Sequence, residues 1–132
     1  MERIFVDTGA WYAYINASDP DHPNVRAFLQ SFAGRLITSN YIFDETVTLV
    51  LARLGHQRAV KVGSVLLDPG AVELIRVSAA DERSAWRLFQ SRPDKTYSFT
   101  DCTSFAFMQR LNLHEALTLD EHFAQEGFKA LP

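Results

Sequence analysis

Four acidic residues occupy positions where a carboxylate is costly unless another group compensates its charge. Asp7 and Asp120 each follow a short apolar run, Asp101 opens a helical run that is apolar nearly all round, and Glu45 lies within another. No nearby Lys or Arg is placed to pair with them, and an unpaired buried charge is strongly destabilising. A bound divalent cation would compensate all four acids. The pattern therefore points to metal-dependent hydrolysis.

The ligand chemistry of such a cluster favours Mg²⁺ or Mn²⁺. Two carboxylates about 4 Å apart repel each other by roughly 4 kcal/mol at an effective dielectric constant of 20, so four converging acids would take up protons or a cation. Oxygen ligands suit Mg²⁺ or Mn²⁺ rather than Zn²⁺. Cys102 has no histidine patterned to activate it, so we expect it to pack or to support the site. The spacing of a zinc site is absent among His22, His56, His114 and His122.

Length and composition are those of an ordinary globular protein. The chain has 132 residues, of which 47% are hydrophobic and 22% charged, and this predicts one domain spanning 1–132. The net charge of −3 argues against a protein that coats nucleic acid, but not against a nuclease whose acidic pocket binds metal. One cysteine, no signal-peptide pattern and no bilayer-spanning apolar stretch predict a cytoplasmic protein without membrane contact.

Strand and helix patterns alternate along the chain. The predicted strands are Arg3–Val6, Leu36–Thr38, Val72–Val77, Leu117–Leu119 and Phe128–Leu131. The predicted helices are Thr8–Asn16, Asn24–Ala33, Tyr41–Leu54, Gln57–Leu67, Ala79–Ser91, Thr100–Leu111 and Glu121–Glu126. This order predicts an α/β fold, a three-layer α/β/α sandwich with a central parallel sheet. Ligands of such sheets gather beyond the carboxyl ends of the strands, so we expect Asp7 and Asp120, each directly after a strand, at the same edge.

Each of three acids also has a structural interpretation. Asp7 and Asp120 each precede a predicted helix, where an Asp N-cap contributes about 1 kcal/mol. Ser98 and Asp101 have the spacing of a capping box. Asp7 could instead be a nucleophile that forms an aspartyl-phosphate, but such phosphatases carry a second Asp two residues later, where this chain has Gly9. The four acids together favour a functional site over separate caps.

The phase of the helix at 41–54 decides between the adjacent acids Asp44 and Glu45. At 100° per residue, one apolar side consists of Phe43, Val47, Val50 and Leu54. Glu45 lies on the opposite side, beside Ile42 and Leu49, and two apolar sides indicate a buried helix. Asp44 points about 100° away from Glu45. We therefore prefer Glu45, with a partly exposed Glu that has an unrecognised partner as the alternative.

Four short segments in order resemble the PIN domain, and more narrowly the VapC-type toxins of type II toxin–antitoxin systems. They are Val6–Trp11, Asn40–Thr46, Ser98–Cys102 and Leu117–Asp120. The likeness covers almost the whole chain and implies the sheet order 3-2-1-4-5. It implies an RNA substrate and a cognate VapB-type antitoxin, and it is compatible with a homodimer. The Mg²⁺ or Mn²⁺ ligands and catalytic residues that it implies are Asp7, Glu45, Asp101 and Asp120, with supporting hydroxyls from Thr8, Ser98 and Thr100.

The favoured function is an endoribonuclease toxin that uses metal-activated water, and other functions stay open at this point. One is a PIN-domain nuclease that processes RNA and is not a toxin. A phosphorylated receiver domain has similar length and alternation, but it places paired acids after its first strand, unlike this chain. A module that only binds RNA or protein is disfavoured by the complete acid set. Four basic residues could hold RNA phosphates: Arg53, Arg58, Lys61 and Arg92. The alternative is that they lie on solvated helix faces and bind nothing.

Overall fold

The computed structural model describes residues 1–132. The architecture is a five-stranded, all-parallel sheet with helices packed against it. The strands are β1 Arg3–Val6, β2 Arg35–Ser39, β3 Glu73–Ile75, β4 Glu115–Leu117 and β5 Lys129–Leu131. The helices are α1 Thr8–Ile15, α2 His22–Ser31, α3 Asn40–Leu54, α4 His56–Leu67, α5 Ala79–Ser91, α6 Phe99–Arg110 and α7 His122–Gln125. The sheet order is β3-β2-β1-β4-β5. The predicted fold class and sheet order are confirmed.

The central strand is β1, which pairs with β2 on one side and β4 on the other. Its residues Ile4, Phe5 and Val6 are completely buried, as expected for a parallel strand covered on both faces. The Asp7 backbone N–H, directly after the strand, still donates to the Leu117 carbonyl at 3.0 Å. Asp7 is therefore fixed at the carboxyl edge, in the middle of the sheet.

The helix α6 supplies much of the core. All seven residues from Cys102 to Met108 are buried, so the prediction of a helix that is apolar nearly all round is confirmed. It packs against α5, where the buried Asp81 carboxylate accepts two hydrogen bonds from Arg110 Nε at 2.9 Å. This contact holds the last turn of α6, whereas Asp101 lies in its first turn. No helix combines the length and apolar character needed to cross a membrane.

The strand predicted at Leu117–Leu119 is wrong, because β4 ends at Leu117. The pairing of β4 with β5 ends at Leu117 and Leu131, and Pro132, which follows, has no backbone N–H to extend it. Asp120 therefore does not follow a strand directly, as predicted, but comes three residues after one. The strand predicted at Val72–Val77 is likewise shorter, because its neighbour β2 ends at Ser39, where α3 begins.

Candidate active site

Asp7 is the most buried of the four acids, with 7% of its surface exposed. It occupies the N-cap position of α1, but its side chain makes no capping bond. Its Oδ2 instead accepts from the Thr118 hydroxyl at 3.2 Å. Burial raises the pKa of the Asp7 carboxyl to about 7, opposed by the Thr8 backbone N–H and assisted by the negative charges of the other three acids, Asp101, Glu45 and Asp120. The four acids therefore lie at the same edge of the sheet, close enough for the charges of the other three to act on Asp7.

Glu45 is half-buried on α3 and faces the first turn of α1. Its Oε1 accepts a hydrogen bond from the Thr8 hydroxyl at 2.5 Å. The buried stripe of α3 runs between the two apolar sides expected from the sequence, through Ile42, Thr46 and Val50. Glu45 lies at the margin of that stripe, and Asp44 lies on the exposed side of the helix. Of the two adjacent acids, Glu45 is the one that contacts the residue next to Asp7.

Asp101 forms the capping box that its spacing with Ser98 predicts. The Ser98 backbone N–H donates to Asp101 Oδ2 at 2.9 Å, and the Asp101 backbone N–H donates to the Ser98 hydroxyl at 3.0 Å. The Ser98 hydroxyl is therefore occupied at the start of α6. The Thr100 hydroxyl makes no hydrogen bond to any of the four acids, and the Thr100 carbonyl accepts from the Thr103 hydroxyl at 2.7 Å. Among the three predicted supporting hydroxyls, the Thr8 hydroxyl contacts an acidic side chain directly.

The segment between β4 and α7 brings Asp120 to the site. Its backbone N–H donates to the Thr118 hydroxyl oxygen at 3.1 Å, and the same hydroxyl contacts Asp7. Its Oδ1 accepts from the backbone N–H of His122 at 2.8 Å. The Asp120 carboxylate thus supports the start of the short helix α7, and Thr118 ties it to Asp7. The sequence analysis did not recognise Thr118, whose position two residues before Asp120 was the available signal.

His122 is the second residue that the sequence analysis missed. Its Nδ1 lies 3.0 Å from Asp101 Oδ2 and 3.1 Å from Asp120 Oδ1. Together these three side chains offer ligand atoms within 4.8 Å of one another. The spacing of His122 from the other histidines and from Cys102 does not match that of a zinc site. The usable signal was its place two residues after Asp120, at the start of a helix.

The donor set fits a hard divalent cation. No Lys or Arg forms an ion pair with any of the four acids, and His122 is the one basic group among them. Carboxylate-rich sites of this kind suit Mg²⁺ or Mn²⁺. Cys102 does not compete as a nucleophile, because burial, assisted by the charge of Asp101, raises the pKa of its thiol to about 11. The thiol therefore stays protonated at neutral pH and packs in the core.

Neither the largest cleft nor the basic residues enclose the acids. That cleft, of about 560 Å³, is lined mainly by α1, α2 and α4 and includes Lys61 but none of the four acids. Arg92 is held by two hydrogen bonds to Glu126 at 3.0 and 3.2 Å, and Arg53 lies over the Tyr12 ring. The acids are reached from solvent, since 35% of the Asp120 side chain is exposed.

Comparison with known proteins places this geometry in context. The family model described as PIN domain matches residues 4–129. The chain is 36% identical over 125 residues to the 23S rRNA-specific endonuclease VapC20 of Mycobacterium tuberculosis, covering 95% of each protein. It is 32% identical over 122 residues to ribonuclease VapC26 of the same organism, covering 92% of this chain and 90% of that protein.

Solved structures show the same fold. The crystal structure of M. tuberculosis VapC20, described as a Sarcin-Ricin loop cleaving toxin, superposes with a TM-score of 0.90 at 35% identity over 95% of each chain. The crystal structure of VapBC2 from Rickettsia felis, bound to a DNA fragment from their promoter, gives a TM-score of 0.71 at 14% identity over 98% of each chain. At that identity the second likeness shows the fold alone.

Proposed function

The chain belongs to the PIN-domain family, and within it to the VapC-type toxin ribonucleases, and we propose that it is a metal-dependent endoribonuclease that hydrolyses RNA phosphodiester bonds. Membership of this family rules out the phosphorylated receiver domain. The observation that carries the proposal is that three further carboxylates lie near Asp7. Burial and these acidic neighbours raise the pKa of Asp7 to about 7. No Lys or Arg compensates this charge, so the pocket is built for a cation.

PIN-domain nucleases require a divalent metal, and the acidic cluster of this chain is suited to hold one. We propose Mg²⁺ or Mn²⁺ as that metal, with Asp7, Glu45, Asp101 and Asp120 as its ligands. When bound, such an ion activates water and stabilises the charge that develops on the scissile phosphate. The absence of a paired Ser–His or an ionised Cys supports this chemistry, because the chain offers no protein nucleophile in its place.

The protein's own contribution is to hold these carboxylates in place before substrate arrives. Asp7 is fixed by the central strand and the Thr118 hydroxyl. Glu45 is fixed by the Thr8 hydroxyl, and Asp101 by the capping box at the start of α6. Each acid therefore comes from a different element and is restrained by its own neighbour. Preorganisation of this kind lowers the reorganisation needed in the transition state.

Metal removal tests the proposed activity. We expect the purified chain to cut a structured RNA, such as large-subunit ribosomal RNA in intact ribosomes, and EDTA to abolish the cutting. Addition of Mn²⁺ or Mg²⁺ after EDTA should restore it in wild type but not in Asp7→Asn, prepared in parallel as the control for contaminating nucleases. Wild-type cleavage that persists in EDTA, at a rate above that of the Asp7→Asn preparation, would contradict the proposal. Ribosomal RNA is the first choice because VapC20 is named a 23S rRNA-specific endonuclease.

We further propose that the chain acts as a toxin with a cognate VapB-type antitoxin. The support is its similarity to VapC20, whose structure is described as that of a toxin, and an acidic site that solvent reaches. An antitoxin that inserts an Arg or Lys among the carboxylates would compensate the charge that the chain itself leaves unpaired.

The toxin role predicts a growth phenotype. Expression of the wild-type chain alone should slow growth of a bacterial host, and expression of Asp7→Asn should not, because loss of one ligand disables the site. Co-expression of the antitoxin should restore growth. Equal growth with both forms, at equal levels of folded protein, would argue for the alternative of an RNA-processing nuclease that is not a toxin.

We also propose that residues 1–132 form one domain and that the protein works in the cytoplasm, whereas a homodimer stays a prediction.

A further inference from the structure

We infer that His122 is an additional ligand of the metal site and that its nitrogen makes the site prefer Mn²⁺ over Mg²⁺. The inference rests on the proposed function, because it concerns the metal that the four acids are proposed to hold. His122 is not one of those acids. It reaches the site from α7, which begins two residues after Asp120.

The spacing of the side-chain atoms supports direct ligation. Adjacent ligands of an octahedral ion with bonds of about 2.1 Å lie about 3.0 Å apart. His122 Nδ1 lies 3.0 Å from Asp101 Oδ2 and 3.1 Å from Asp120 Oδ1. The contact with Asp101 is a hydrogen bond in the absence of metal, and the same separations match those of neighbouring positions in one coordination sphere.

The imidazole ring is also oriented for this role. Its Nε2 lies 3.0 Å from the Thr96 hydroxyl, and the Tyr97 ring packs edge-on against it with centroids 5.2 Å apart. A metal-binding histidine usually donates the N–H of its other nitrogen to such a partner, which fixes the tautomer and the ring plane. Without metal, Nδ1 hydrogen-bonds to Asp101. Binding of an ion would require the tautomer with the proton on Nε2, donated to Thr96, and this would leave the Nδ1 lone pair for the ion in place of that hydrogen bond.

A nitrogen donor has a chemical consequence for metal choice. Mg²⁺ prefers oxygen ligands and a nearly ideal octahedron, whereas imidazole suits transition metals. The four carboxylates alone would serve either ion. His122 therefore supplies the element of the site that distinguishes Mn²⁺ from Mg²⁺.

Metal binding tests this inference without relying on cleavage. Mn²⁺ affinity would be measured by electron paramagnetic resonance at one neutral pH, with Mg²⁺ as competitor, in wild type and His122→Asn. Asn places an amide oxygen near the former Nδ1, so the variant exchanges a nitrogen donor for an oxygen donor. We expect the preference for Mn²⁺ over Mg²⁺ to fall by about 10-fold or more. Electron spin-echo modulation from a coordinated ¹⁴N should appear in wild type and vanish in His122→Asn.

Two further variants separate ligation from loss of structure. Thr96→Val keeps His122 but removes the partner of Nε2, so it should retain the ¹⁴N signal and weaken Mn²⁺ binding by about 10-fold. His114→Asn changes an exposed histidine next to the start of β4, at the opposite end of that strand from the site, and should behave as wild type. Folding of each variant would be checked by circular dichroism.

The outcomes distinguish the role of His122 from the existence of the metal site. Mn²⁺ bound to wild type without a ¹⁴N signal, and with the same Mn²⁺ preference in His122→Asn, would overturn the role of His122 and leave the nuclease proposal intact. A wild-type protein that binds neither Mn²⁺ nor Mg²⁺ would overturn the metal site and the role of His122 together.

Discussion

Glu45→Gln should lower RNA cleavage at least about 100-fold, and Asp44→Asn should leave cleavage close to the wild-type rate. The two acids are adjacent on one helix and have the same charge, so they form a matched pair. Glu45 is half-buried, accepts from the Thr8 hydroxyl at 2.5 Å and raises the pKa of Asp7. Asp44 is exposed on the other side of α3. Activity should therefore depend on the acid that faces the site, Glu45, and not on the total negative charge of α3.

The measurement is an initial rate of cleavage on one RNA at saturating Mn²⁺, with circular dichroism to establish that both variants are folded. Thr8→Val adds an independent check, because it removes the hydroxyl that holds Glu45 while keeping the acid; we expect an intermediate loss of rate. If Asp44→Asn inactivates the protein while Glu45→Gln stays active, the assignment on this helix is wrong. In that case α3 would have to present its other acid to the RNA.

Most of the fold could be predicted from the sequence because the local pattern of apolar residues matches the burial that each strand and helix has in the folded protein. The run Ile4–Val6 is apolar without interruption, as a central parallel strand requires, and Asp7 directly after it marks the functional edge. The ends of β3 and β4 could not be predicted in the same way. They are set by pairing with β2 and β5, which end at Ser39 and Leu131, and such long-range pairing leaves no local signal.

The four acids of the candidate site could be selected from the sequence, whereas the contacts that hold them could not. Charges placed next to apolar runs are visible in a sequence, which is why Asp7 and Asp101 stood out. Thr118 and His122 contact their partners across 111 and 21 residues of chain, and the one sequence signal for either is its position two residues from Asp120. Sequence reasoning also treated the cap and the metal ligand as alternatives for Asp101. Its Oδ2 accepts the capping bond and also lies 3.0 Å from His122 Nδ1, while Oδ1 takes no part in the cap, so one carboxylate can cap the helix and contact the site.

The raised pKa of Asp7 should make the metal-free protein less stable as the pH rises. The pKa of Asp7 is about 7 in the folded protein and about 3.8 when exposed. Between these values the folded state holds a proton that the unfolded state has released, so metal-free stability falls as the pH rises. The loss begins near pH 4 and is complete above about pH 7. Three pKa units correspond to roughly 4 kcal/mol.

In EDTA at pH 8, Asp7→Asn should therefore be more stable than wild type by a few kcal/mol, and at pH 4 the two should be equal. For a domain of this size, that difference corresponds to a rise in melting temperature of about 10 °C. Asp44→Asn, which removes an exposed acid, should follow wild type at both pH values. Mn²⁺ at one hundred times its Kd should remove most of this difference at pH 8, because a ligand that binds only the folded state then adds about 2.7 kcal/mol to the stability of wild type.

Only the wild-type protein should gain that stability, since Asp7→Asn lacks the acid proposed to lie at the centre of the site. Thermal melts of the three proteins in EDTA and in Mn²⁺, at pH 4 and pH 8, measure every part of this prediction. An Asp7→Asn protein that melts below wild type in EDTA at pH 8 would mean that the Asp7 charge stabilises the fold without metal. The acidic cluster would then be a structural network, and its unpaired charge would no longer be an argument for a bound cation.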